Sequence, residues 1–172
     1  QTSDPDIYAI GECALWDNRI FGLVAPGYQM AKVAVGHITG ESDGSFEGAD
    51  MSTKLKLLGI DVGSIGDAHA KTPGALSYTY MNPREEVYKK LVTSADGKKL
   101  LGAVLVGDTE DYSNLLQLFL NDMDLPPEPE CLILPNVDDA PTLGVDALPD
   151  SAQICSCYSV SKGDICNSVN NG

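Results

Sequence analysis

The chain has 172 residues, 43% of them apolar, with 11 basic and 25 acidic side chains and a formal charge of −14. That balance repels phosphate backbones and anionic lipid, which excludes a nucleic-acid or membrane-surface partner. Mean hydropathy near zero and the lack of any apolar run long enough to cross a bilayer predict a soluble globular domain with flanking pieces. Five cysteines, an odd count with no secretory leader, point to reduced thiols or metal ligands in a cytoplasmic protein. Gln1 stands where a starting methionine would, and a strand pattern begins a few residues later, as expected of a piece of a longer polypeptide.

In chain order, residues 6–10 (DIYAI) read as a short buried strand that ends at Gly11 and Glu12. Val24, Ala25, Pro26 and Gly27 then open a helix carrying Met30, Ala31, Val33, Ala34 and Ile38, with Gly40 as its stop; proline suits a first helical turn. A strand end bearing a glycine and a carboxylate beside free helix N–H groups can hold the hydroxyls and partial negative charge of a cofactor. The same Gly-Glu pair is also ordinary for a solvent-facing loop.

The polar, glycine-rich stretch 41–50 (ESDGSFEGAD) marks a boundary, and 46–125 should form one compact core. Residues 54–62 (KLKLLGIDV) and 75–81 (ALSYTYM) read as strands, 87–93 (VYKKLVT) as another, and Asp96-Gly97 as a hairpin turn. Residues 99–106 (KLLGAVLV) are a near-continuous apolar run that calls for burial on both faces. Asp108 or Thr109 can cap the helix that follows, with Glu110 and Asp111 at its positive end, and Tyr112, Leu115, Leu116, Phe119 and Leu120 recur at helical spacing. The predicted fold is α+β: a small mixed or antiparallel sheet with a helix packed on one face. His69 near Asp67 and His37 late in the first helix read as surface residues, not catalytic ones.

Six of the ten prolines fall within 126–150, the pattern of a stiff extended linker, with 131–134 (CLIL) apolar enough to lie along the preceding domain. Cys155 and Cys157 in 151–172 can turn toward one metal if the backbone bends, although a [2Fe-2S] cluster or a structural zinc needs four ligands. A reactive exposed pair is the other reading. Val160 or Ser161 should start a helix with Ile165 and Val169 inward and Cys166 as a core thiol.

Two stretches resemble known families. Residues 2–14 (TSDPDIYAIGECA) resemble the second FAD motif of pyridine-nucleotide-dependent flavoprotein reductases, with Glu12 at the position usually held by aspartate. Residues 23–31 (LVAPGYQMA) resemble the helix start beside the flavin. The resemblance implies that 1–40 is the C-terminal end of an FAD-binding domain, with Gly11 and Glu12 contacting FAD and Val24 and Ala25 nearby. It further implies that 46–125 is the reductases' C-terminal interface domain. Residues 148–157 (LPDSAQICSC) and the Val160-x-Lys162-Gly163-Asp164-Ile165 that follows resemble the start of a bacterioferritin-associated-ferredoxin-like [2Fe-2S] domain, implying Cys155 and Cys157 as iron ligands.

The order of these parts resembles the large subunits of bacterial assimilatory NAD(P)H nitrite reductases. In that family electrons pass from NAD(P)H through FAD, [2Fe-2S], [4Fe-4S] and sirohaem, and nitrite becomes ammonium; a small subunit is a possible partner. No Gly-x-Gly-x-x-Gly occurs in these residues, and the second cysteine pair of the cluster motif is absent. This segment alone is therefore expected to bind none of these cofactors and to be inactive. Two alternatives remain at this point: a rubredoxin-reductase-like flavoprotein, and a non-catalytic docking or dimerisation module.

Overall fold

An uncharged seven-residue run, LLGAVLV, forms β5 (Leu100–Val106) and occupies the centre of a sheet, where both faces of a strand are shielded. The computed structural model describes residues 1–135, 145–155 and 158–170 and divides into two units, Gln1–Met51 and Ser52–Gly172.

In the second unit the sheet contains β1 (Thr53–Leu57), β2 (Ile60–Gly66), β3 (Leu76–Asn82), β4 (Val87–Thr93) and β5, in the order β1-β2-β5-β4-β3. Every pairing is antiparallel, so the small sheet of the α+β prediction is antiparallel rather than mixed. Ile65 and Leu91 both lie opposite Ala103, and with Leu105 they make one fully buried patch. The helix α2 (Tyr112–Leu120) covers it with Tyr112, Leu115 and Leu118. Leu118 thus takes an inward place that the spacing assigned to Leu120, which is 38% exposed. The residue before the helix is Asp111, not Asp108 or Thr109; the Asp108 carboxylate instead accepts the Glu110 N–H at 3.0 Å.

Two glycines set how closely the layers approach. A Cβ at Gly63 would lie 2.6 Å from the Tyr112 ring, and one at Gly102 would lie 2.4 Å from the backbone of Asp67. Residues 54–62, expected as one strand, are instead a hairpin: β1 and β2 join through Leu58 and Gly59, with φ of 52° and 89°. Positive φ at both central residues is the requirement of a two-residue I′ turn. The stretch expected to run as a stiff linker is folded at its start. Pro129–Leu132 forms a 3-10 turn, and Leu132 and Ile133 enter the sheet's core, because two large apolar side chains gain more from burial than an extended chain offers them.

Near the end of the chain, β6 (Gln153–Cys155) pairs with β7 (Val160–Ser161), which leads into α3 (Lys162–Asn170). Ser161 Oγ accepts the Asp164 N–H, and the Asp164 carboxylate accepts the Ser161 N–H at 2.9 Å, a reciprocal cap that fixes this start. Ile165 and Val169, expected inward, are 44% and 75% exposed, and Cys166 is exposed as well. Among the described residues none is buried on α3, so its apolar side has no core to join.

The first unit holds one helix, α1 (Val24–Thr39), stopped as expected by Gly40, whose φ is 72°. Residues 6–10 are not a buried strand. They pair with no strand among the described residues, and Ile7 and Ile10 are 54% and 42% exposed, because an apolar run is buried only where neighbouring strands cover it. Phe46 packs edge to face on Trp16 and Phe21, which are tilted against each other, with centroids 5.3–6.0 Å apart. Phe46 therefore belongs to this unit's aromatic cluster and not to the core of the sheet.

Candidate functional site

Gly11, Glu12 and Cys13 form a 3-10 turn immediately after the extended residue Ile10. Gly11 has φ of +73°, a conformation natural to glycine, and its Cα lies 3.8 Å from the place a Cβ would take on Gly27 in the first turn of α1. The Glu12 carboxylate points toward Gly22, on the segment entering α1: its Oε2 lies 3.7 Å from the Cβ position there. Leu23 before α1 is extended and offers no side-chain cap, and no acidic residue stands in the first turn. Neither Leu23 nor a first-turn acid thus accepts from the first N–H groups of α1, those of Val24 and Ala25 included, and the helix dipole adds partial positive charge there.

The sequence places these groups eleven or more residues apart, and the fold brings the glycine turn against the helix start. Glu12 and Val24 are exposed, and Ala25 is half-buried. Such a set can receive a polar, electron-rich ligand: donors from the helix, an acceptor from Glu12 for ribityl or ribose hydroxyls. A cleft of about 560 Å³ in the same unit is lined instead by Tyr8, Ile10, Trp16, Met30, His37 and Phe46 among others, and neither Glu12 nor Val24 reaches it. His37 is hydrogen-bonded through Nδ1 to the Tyr8 hydroxyl, which accounts for it without a chemical role.

The cysteine pair is described in part. Cys155 ends β6 as a half-buried free thiol, and Cys157 lies outside the described residues. Its hairpin is tied to α2 where the Gln117 side chain donates to the Gln153 carbonyl at 3.1 Å, and within the C-terminal segment Lys162 Nζ donates to the Leu148 carbonyl at 2.8 Å. No group of three or more metal-ligating side chains occurs among the described residues, so Cys155 has no companions there to complete an iron or zinc site.

Two polar clusters in the sheet unit are structural. Asp67 accepts the Lys71 N–H at 3.0 Å and the Thr72 N–H and hydroxyl at 2.7 and 2.8 Å, which occupies its carboxylate and leaves His69 an exposed neighbour, not an acid-base partner. Lys89 escaped the sequence reading. It lies in β4, 4% exposed, and its ammonium is held by Asp108 and Asp111 at 2.6 and 2.7 Å. The one available signal was a lysine at the inward alternation of a strand, and nothing nearby in sequence showed what would neutralise it.

Comparison with known proteins fits this geometry. Residues 52–123, the sheet and α2, match the family described as the rubredoxin NAD+ reductase C-terminal domain. The NADH:rubredoxin oxidoreductase of Clostridium acetobutylicum shares the fold, with a TM-score of 0.50 and 24% identity over 70% of this chain and 30% of that one. The nitrite reductase (NADH) large subunit of Escherichia coli K12 is 66% identical over the whole of this chain, which covers 20% of that protein. Over its whole length this chain is similar to a segment of nitrite reductase large subunits. A nitrite reductase [NAD(P)H] of Neurospora crassa is 40% identical over the whole chain and 17% of its own length. The assimilatory nitrate reductase electron transfer subunit of Bacillus subtilis is 37% identical over 98% of the chain and 21% of its own length. The chain thus spans about a fifth of the length of the curated relatives it matches. The glycine turn, the sheet unit and the cysteine hairpin all fall inside the region matched to the Escherichia coli protein.

Proposed function

We propose that this chain is the middle section of an electron-transferring NAD(P)H nitrite reductase, working in the cytoplasm on nitrite, with ammonium as the product and a small subunit as a possible partner. The observation that supports the reading most is the 66% identity across the full chain, which takes in the turn, the sheet and the cysteine hairpin together. The match of 52–123 to the rubredoxin reductase domain concerns only the sheet and α2, and so favours the rubredoxin-reductase reading less.

FAD fits the first unit on an observation of its own: the start of α1 is free of any side-chain cap or first-turn acid, and the Gly11 turn packs beside it. Gly11 and Glu12 would hold the cofactor, Glu12 by accepting hydroxyl protons, while the N–H groups at Val24 and Ala25 would face its electron-rich edge. When bound, a flavin supplies hydride acceptance from NAD(P)H and release of single electrons. The contribution of these residues is to orient that group and to stabilise negative charge on it.

For iron the described residues do not fit by themselves, since Cys155 stands without other ligands. We assign Cys155 and Cys157 as two of the four ligands of a [2Fe-2S] cluster, the others coming from outside this segment, and derive no step through it. Sirohaem and [4Fe-4S] belong, in this reading, to other parts of the full-length protein. The segment alone is inactive.

The test is made on the full-length protein. Cys155→Ser with Cys157→Ser should remove the [2Fe-2S] absorbance and NAD(P)H-dependent nitrite reduction while flavin absorbance stays. A cluster spectrum that survives both changes refutes the metal assignment, and a purified full-length protein without flavin refutes the FAD assignment.

A further inference from the structure

In the first two turns of α1, Gly27 and Met30 lie three residues apart and so share one side of the helix. Both face the Gly11 turn. Gly27, lacking a side chain, admits the Gly11 Cα, and the Met30 Sδ accepts the Gly11 N–H at 3.2 Å. Met30 is 6% exposed, one of few buried side chains in the first unit, so its sulfur is held in place and not sampling solvent.

The amide that it receives belongs to the residue whose left-handed φ turns the chain into Glu12. A thioether is a weak acceptor, but here it meets a part-buried backbone donor. Rotation of the Gly11 peptide would swing Glu12 away from Gly22 and from the open start of α1.

We propose that Met30 is a positioning residue for the flavin contacts: its sulfur anchors the Gly11 amide and so aims Glu12 alongside the first turn of α1. The proposal rests on the flavin reading of this unit and adds to it a residue that touches no ligand. Leucine at this position keeps the volume and apolar character but removes the acceptor.

In the 172-residue chain, Met30→Leu should shift the Gly11 amide proton resonance and speed its exchange about three- to tenfold, the factor that one net hydrogen bond carries. Exchange at Ala34, deeper in α1, should hold, which separates loss of the anchor from loss of the helix. Selenomethionine labelling provides a second measurement that needs no mutation: a scalar coupling between the selenium of residue 30 and the Gly11 amide proton is expected, and its absence overturns the proposal.

In the full-length flavoprotein, Met30→Leu should weaken FAD retention about three- to tenfold, by the same single bond. An unchanged Gly11 resonance and exchange rate overturns the proposal. So does altered Gly11 exchange with unaltered FAD affinity, since the anchor then does not serve the cofactor. If the full-length protein carries no FAD although the coupling is present, the flavin reading is what has failed, and the positioning role falls with it.

Discussion

Lys89 donates from the middle of β4 to Asp108, 2.6 Å away just beyond the end of β5, with the lysine side chain 5% exposed and the aspartate 37%. Asp111 completes the cluster at 2.7 Å, and Lys54 donates to the Thr109 carbonyl at 3.2 Å, so two strand lysines grip the start of α2. Burial opposes the charge on Lys89, yet its hydrogen bonds to the two carboxylates outweigh this and raise its pKa above 10.5.

The cluster is asymmetric: the cation is buried, while the anions are reached by water. Removing the cation (Lys89→Met) leaves two hydrated carboxylates and should cost about 1–2 kcal/mol. Removing both anions (Asp108→Asn with Asp111→Asn) strands a buried ammonium and should cost roughly 3–5 kcal/mol. Urea unfolding of the chain checks the order. An equal or larger loss in Lys89→Met contradicts the argument.

Asp67 sets a second expectation, in acid. The Lys71 N–H is the largest influence on it; burial opposes, and the Thr72 N–H and hydroxyl add to the lowering, bringing the carboxyl from 3.8 to about 2. A carboxylate whose folded pKa is depressed stabilises fully above its unfolded value and loses that contribution as pH falls through the folded one. Stability should therefore drop between about pH 4 and pH 2. Asp67→Asn should be less stable at neutral pH by roughly 0.5–1 kcal/mol after allowance for solvent screening. Asp108 and the exposed Asp96 and Asp164 are also lowered, so the urea-midpoint difference between wild type and Asp67→Asn is the quantity to follow. It should shrink on acidification. A constant difference rules out this carboxylate as a source of the acid sensitivity.

Gly102 offers a test of how the 67–72 loop meets the sheet. A Cβ there would lie 2.4–2.8 Å from three backbone atoms of Asp67, which cannot swing aside as a flexible side chain can. Gly102→Ala should cost about 1–3 kcal/mol, as overpacking does. At Gly97, in the β4–β5 turn, no atom would meet a Cβ, but φ of 74° strains any replacement. Thermal unfolding of the two alanine variants separates the causes: Gly97→Asn, which tolerates that φ, should recover stability, whereas no residue with a Cβ should rescue position 102.

What the sequence disclosed follows from how local each signal is. The strand β4, the Asp96-Gly97 turn, β5 and α1 were legible because alternation, a turn dipeptide and an apolar run act over a few residues. Burial of Lys89 was not, since its partners lie 19 and 22 residues away. The prolines of 126–135 pointed to an extended linker, but Pro129 begins a 3-10 turn; the apolar run 131–134 was legible as lying along the preceding domain, and Leu132 and Ile133 do join its core. At the candidate flavin site Gly11, Glu12, Val24 and Ala25 were legible as a motif. Met30 was read only as one of the residues the first helix carries, because contact between a sulfur and a backbone amide 19 residues earlier leaves no pattern in spacing.

The β1–β2 turn was missed for a related reason, and it yields the last prediction. Residues 54–62 lack the Asn-Gly or Asp-Gly pair by which such hairpins are recognised; Leu58 stands in the first central position, 97% exposed with φ of 52°. A leucine gains nothing from solvent and bears the steric cost of a left-handed backbone, roughly 1–2 kcal/mol. The hairpin forms nevertheless, because pairing through Thr53↔Ser64 to Leu57↔Ile60 supplies a full ladder and Gly59 accepts the second positive φ without strain. Leu58→Asn should therefore raise stability by about 0.5–1 kcal/mol, visible as a higher urea midpoint with an unchanged slope. Leu58→Val, β-branched and worse at positive φ, should lower it; if the two substitutions act alike, backbone strain is not what limits this turn.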